Sequence, residues 1–137
     1  MKYHISINQA GVFVSGLLPH TDLIDWAIVD YLLGVSIALR MVRKVIDGEE
    51  YVWVSTPAIV RQIPIIHLKR RAVHMRLRNL EKLGLIAIKM GERRQFYIRL
   101  TDKILSVLYF STKHAIKDTY RATNDTTCAT RCALLIN

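Results

Sequence analysis

The stretch KRRAVHMRLRNLEKLGLIAIKMGERRQFYIRL, Lys69 to Leu100, decides the architecture because its apolar period changes part-way along. Up to Leu83 the spacing is helical. Val73, Leu77, Leu80 and Leu83 recur at three and four residues, so at about 3.6 residues per turn they share one face, which is expected in a core. On the side that cannot also be buried stand Arg71, His74, Met75, Arg78 and Lys82, a cationic face. Gly84 is expected to end the helix, since glycine takes the left-handed C′ conformation at little steric cost. Strand-like runs follow at Leu85–Lys89 and Gln95–Leu100. Between them Met90-Gly91-Glu92-Arg93-Arg94 supplies a glycine for the reversal and arginines that hold the tip in solvent. A helix with a cationic outer face thus runs directly into a hairpin with a cationic tip.

Charge narrows the class of partner. The 137 residues carry 20 Lys and Arg against 11 Asp and Glu, a formal +9, and Lys69–Arg94 alone holds nine cations against Glu81 and Glu92, a local +7. A merely solvated helix face interleaves Glu with Lys, whereas here Glu81 stands nearly alone, so a polyanion is the simplest partner. Helix plus basic hairpin is the layout of a winged helix, whose helix enters the major groove while its wing lies along the phosphates.

Short strings carry a more specific resemblance. Arg76-Leu77-x-x-Leu80-Glu81-x-Leu83-Gly84-Leu85-Ile86 resembles the end of the recognition helix in winged-helix DNA-binding proteins. Leu100-Thr101-Asp102-Lys103 is similar to the start of the helix that follows the wing in multiple-antibiotic-resistance-type regulators. The run TDLIDWAIVDY at Thr21–Tyr31, then Tyr51-x-Trp53-Val54-Ser55, then Ile63-Pro64, resembles the N-terminal domain of phage and mobile-element replication initiators of the replisome-organiser type. The resemblance spans Ile5 to Ile104. It implies an α+β, mostly α, winged helix-turn-helix with a short N-terminal helix and a C-terminal helix after the wing. That domain would fill residues 1–110, leaving 111–137 as a helix extension and flexible tail. Double-stranded DNA is the implied partner, with replication proteins beside it. The candidate contacts are Lys69, Arg70, Arg71, His74, Met75, Arg78 and Lys82 on the helix, with Arg93 and Arg94 on the wing. Arg71 and Arg78 are placed to pair with guanine, and Arg93 and Arg94 to meet phosphates. Met75 either touches a thymine methyl or is simply an exposed methionine.

Upstream, Tyr3–Ile7 alternates weakly as a short strand, and Asn8 offers an N-cap for a helix through Leu18, ended by Pro19. Thr21 or Asp22 caps a second helix expected to reach about Arg40 unless Gly34 and Ser36 break it sooner. It is apolar on two sides: Ile24, Ile28, Tyr31, Leu32 and Val35 on one, Trp26, Val29 and Leu33 on the other. Both need cover, from the core, the N-terminal segment, the C-terminal helix or a second copy in a homodimer. Met41–Glu50 is basic and then turn-like at Asp47-Gly48, and Tyr51–Val54 reads as a strand beside the wing. Ser55 and Thr56 cap a short helix from Pro57 to Gln62, which Pro64 stops. Pro64–Leu68 is then the turn of the helix-turn-helix. Thr101 or Asp102 caps a further helix with Ile104, Leu105, Val107 and Leu108 apolar, and Ile116 in the same run.

Chemistry at a catalytic centre is not expected. There is no Gly-rich phosphate loop and no nucleophile elbow, and two of the three carboxylates at Asp22, Asp25 and Asp30 sit where they complement a helix dipole. Cys128 and Cys132 lack a second ligand pair at zinc-like spacing and are read as reduced thiols, with no metal or cofactor. No apolar run approaches the roughly 20 residues of a membrane span, so a soluble cytoplasmic protein is expected. Within the DNA-binding class the alternative to replication initiation is a transcriptional regulator. Outside it stands a winged helix that docks a protein, whose third helix would carry an apolar or mixed-charge outer face, unlike Arg70-Arg71 with Arg78.

Overall fold

Three helix starts in this chain coincide with side chains that accept from orphan N–H groups. In the computed structural model, which describes residues 2–111 apart from the Arg94 side chain, Asn8 Oδ1 accepts from the Gly11 N–H and opens α1 (Gln9–Val14). Asp22 and Asp25 exchange side-chain and backbone hydrogen bonds in a reciprocal capping box at the head of α2 (Leu23–Ile37). Ser55 caps α3 (Thr56–Gln62), with Pro57 in the first turn. A 3₁₀ turn at Pro64–Ile66 and a left-handed His67 lead into α4 (Arg70–Lys82). α4 ends as expected. Gly84 is left-handed at φ +73°, its N–H donates to Glu81 O, and the Leu85 N–H reaches back to Leu80 O, so Leu80 and Leu85 close the turn as a buried pair. The last helix, α5, is Asp102–Leu108.

Four strands form one antiparallel sheet in the order β1-β2-β4-β3: β1 Arg43–Ile46, β2 Glu49–Val54, β3 Ile86–Met90 and β4 Phe96–Leu100. Among the described residues the chain is therefore an α+β protein of five α-helices and one four-stranded sheet. A single apolar cluster joins Val12 and Leu17, most of α2, Ile59 and Ile63 beside α4, the inner face of β2–β4, and Ile104 and Val107 of α5. Val73, Leu77 and Leu80 are in it, while Leu83, at the C-cap, is only partly buried. Among the described residues no helix is long and apolar enough to cross a membrane.

Several elements differ from expectation. Tyr3–Ile7 is not a strand: it is an extended arm that turns Ile5 and Ile7 onto the core, is tied down by Lys2 N–H to Gln62 O, and has no ladder partner. α1 stops at Val14, because Gly16 turns left-handed at φ +75°, well before Pro19. α2 ends at Ile37 and not at Arg40. Met41–Glu50 holds a strand, β1, in addition to the turn. Asp47 and Gly48 both take positive φ, the two-residue reversal whose twist suits a hairpin. The second apolar stripe of α2 is covered within one chain: Trp26 and Val29 are buried and Leu33 is packed against the cluster. The expected tail, with Cys128 and Cys132, lies outside the described residues.

The packing separates the three leucines of α4. Leu77→Ala or Leu80→Ala should cost about 2 to 5 kcal/mol through lost burial and a residual cavity, with Leu83→Ala clearly below both. Urea denaturation of the three variants checks this, and equal losses at all three would contradict the phase of the helix.

Candidate nucleic-acid interface

Three contacts fix the roll of α4 about its axis. Its apolar face is in the core. On one flank Arg76 Nη1 reaches the head of α2, 2.6 Å from Asp22 Oδ2 and 3.2 Å from Asp25 Oδ1. On the other flank the half-buried His74 ring lies 5.2 Å, centre to centre, from the ring of Phe96 on β4. What remains is a single outward row, Arg71, Met75, Arg78 and Lys82, at intervals of four, three and four residues. At about 1.5 Å rise per residue the row is about 16 Å long. Lys69, Arg70 and Arg71 are exposed together at its N-terminal end, where Lys69 makes no side-chain cap.

The sequence-derived candidates therefore divide by role. Lys69, Arg70, Arg71, Met75 and Lys82 are exposed on or beside the row. His74 belongs to the flank and braces α4 against the sheet. Arg78 lies in the row but is engaged, its Nη1 3.0 Å from Glu81 Oε2. Arg93 is exposed at the tip of the β3–β4 hairpin and holds a left-handed φ of +58°, uncommon for a residue with a side chain. The Arg94 side chain lies outside the described residues. Lys89, on β3, is 3.7 Å from Asp47 at the β1–β2 turn. Asn79 was not among the candidates, yet it is exposed beside the row, one turn beyond Met75. Its signal in the sequence is the i+4 spacing from Met75, which carries no charge, although an asparagine amide can pair bidentately with adenine.

The carboxylates under Arg76 are pulled in opposite directions. The Arg76 hydrogen bond holds the Asp22 carboxyl below the ordinary 3.8. Burial pushes Asp25 above it, against the Asp22 backbone bond and Arg76. The asymmetry follows from geometry, since Asp22 takes the shorter bond while half exposed and the Asp25 carboxyl is almost wholly out of water. Both bonds in turn hold the guanidinium more firmly protonated. Among the described residues no group of three or more His, Cys, Asp and Glu is close enough together to hold a metal.

Compared with family models, curated proteins and solved structures, the chain matches none.

Removing Arg76 leaves a buried carboxylate short of a partner, so Arg76→Met should cost about 1 to 3 kcal/mol near neutral pH. The depressed Asp22 contributes stability above 3.8 that is lost as pH falls through its folded value; the raised Asp25 takes up its proton above 3.8. The gap between the two proteins should therefore narrow first from Asp25 and close once Asp22 is protonated. Denaturant melts from pH 7 to 2.5 follow this, and a gap independent of pH would show that the ion pairs are not its source.

Proposed function

We propose that this chain binds double-stranded DNA as a winged helix, with the outward row of α4 in the major groove and the β3–β4 hairpin along the backbone. The observation that carries the reading is the N-terminal end of α4. Three consecutive exposed cations there face the positive end of the helix dipole, on a helix without a side-chain cap. Such charges oppose folding locally, and a phosphate backbone is a partner that makes them favourable. The hairpin tip supports the same reading, since the strained Arg93 is held out into solvent on the next exposed element in sequence. An outer face of arginine, lysine, methionine and asparagine is also poorly suited to docking an apolar protein surface. The resemblance to replisome-organiser initiators extends the proposal to replication initiation in a phage or mobile element, in the cytoplasm, without catalysis of its own.

A fluorescent duplex titrated at several salt concentrations tests the reading, after a preferred sequence has been selected from a random pool. The unaltered protein should bind with a strongly negative slope of log K against log salt. Arg93→Ala should weaken selected and scrambled duplexes alike and reduce the slope by about one unit. Arg71→Ala should bring the two duplexes closer by about 1 to 3 kcal/mol, the discrimination of one bidentate base contact. Loss of preference in the Arg93 variant, with only the salt slope altered in the Arg71 variant, would mean that the hairpin reads sequence and the helix does not.

A further inference from the structure

Glu81 is the one acidic residue on α4, and its position does little for the fold. It stands in the last helical turn, where the dipole disfavours negative charge, and its i,i+3 pair with Arg78 is of a partly exposed kind that adds little to helix stability. Seven residues beyond His74, it borders the outward row on the flank side, and beside phosphates a carboxylate is also repelled. What it can do in a major groove is accept a hydrogen bond from a base amino group.

Arg78 Nη1 and Glu81 Oε2 present a donor and an acceptor 3.0 Å apart. The major-groove edge of a G·C pair presents guanine O6 beside cytosine N4–H₂, an acceptor and a donor separated by one hydrogen bond, about 2.9 Å. The two edges are complementary. Guanine N7, next to O6, also accepts the second N–H of the guanidinium. An A·T pair places thymine O4 and adenine N6 at the same separation, but its flanking groups are wrong: the thymine methyl meets the arginine, and adenine N7, a lone pair, faces the carboxylate.

Building on the duplex-binding reading above, we infer that Arg78 and Glu81 act as one unit that reads a single G·C base pair. Arg78 pairs with guanine, Glu81 accepts from cytosine N4, and Glu81 is the specificity-determining partner. In the absence of DNA the two groups satisfy each other, so Arg78 is not free to grip any nearby phosphate.

The test takes the duplex selected by the unaltered protein and replaces each base pair in turn, titrating the unaltered protein, Arg78→Ala and Glu81→Ala. One G·C position should cost the unaltered protein about 5- to 150-fold when changed to A·T, the span of a good bidentate contact. Arg78→Ala should lose that penalty and Glu81→Ala should reduce it at the same position, both keeping the others, and Glu81→Ala should bind scrambled duplex more tightly than the unaltered protein. Glu81→Met, of similar length but without an oxygen acceptor, replaces the alanine variant should that one melt below the assay temperature. If the Glu81 variant tightens every duplex by one factor with preferences intact, or if the two variants act at different positions, the inference fails and the duplex-binding reading stands. If the unaltered protein binds no duplex, both fail together.

Discussion

Arg76 joins the two helices on which the arrangement depends. Its guanidinium spans from the middle of α4 to Asp22 and Asp25, the same two residues whose reciprocal bonds start α2. The first turn of α2 and the roll of α4 are consequently one problem. A helix held by its apolar face alone can rotate by a few degrees at little cost, because dispersion is spread over many weak contacts. A charge-assisted hydrogen bond on one flank and the His74–Phe96 contact on the other remove that freedom. The cationic row faces outward because its neighbours on the wheel are already committed.

α2 imposes the second constraint. It is apolar nearly all round, so it has to be enclosed, and the enclosure comes from pieces remote in sequence. Val12 and Leu17 arrive from the N-terminal side and Ile104 and Val107 from α5, with the sheet and α3 completing the cluster. The N-terminal side is pinned to α5 by polar contacts as well as packing. Asn8 Nδ2 donates to the carbonyls of Leu108 and Phe110, while Gly11 lies so close to the Val107 carbonyl that a Cβ there would overlap it. The arm before α1 adds Lys2 against Asp30 on the same helix. Enclosing α2 in this way removes the requirement for a second copy that its two stripes had suggested.

Much of the fold was legible because it rests on local rules. The phase of α4, its stop at Gly84, the hairpin after it and the caps at Asn8, Asp22 and Ser55 each depend on a few adjacent residues. β1 was not legible as a strand. Arg43-Lys44-Val45-Ile46 shows no alternation, since an exposed edge strand has no buried face to enforce it. The Asp47-Gly48 dipeptide was the better signal, a hairpin turn needing a strand on each side. Tyr3–Ile7 failed for the opposite reason: its alternation is real but records an arm lying on the core. At the candidate site the sequence gives the row of cations and not their engagements. Arg76 and Asp22 are 54 residues apart and Asp25 51, so only the folded chain brings them together. Thr101 shows the same limit on a smaller scale, occupying the N-cap position of α5 while giving its hydroxyl to the Gly84 and Leu85 carbonyls.

Local preference and global structure agree over much of this molecule, which makes the disagreements around α4 informative. α1, α2 and α3 each begin with a side-chain cap, and α4, like α5, does not. Cations crowd the end of α4 that the dipole makes positive, and its one acid stands in the turn that the dipole makes negative. Of the three described non-glycine residues with positive φ, one ends the turn into α4 and one forms the hairpin tip. Each of these features costs stability, and they gather along α4 and the hairpin that follows it. Packing of the core does not explain the cluster of cations at Lys69–Arg71, whereas an anionic ligand spanning the helix N-terminus and the hairpin would offset their repulsion.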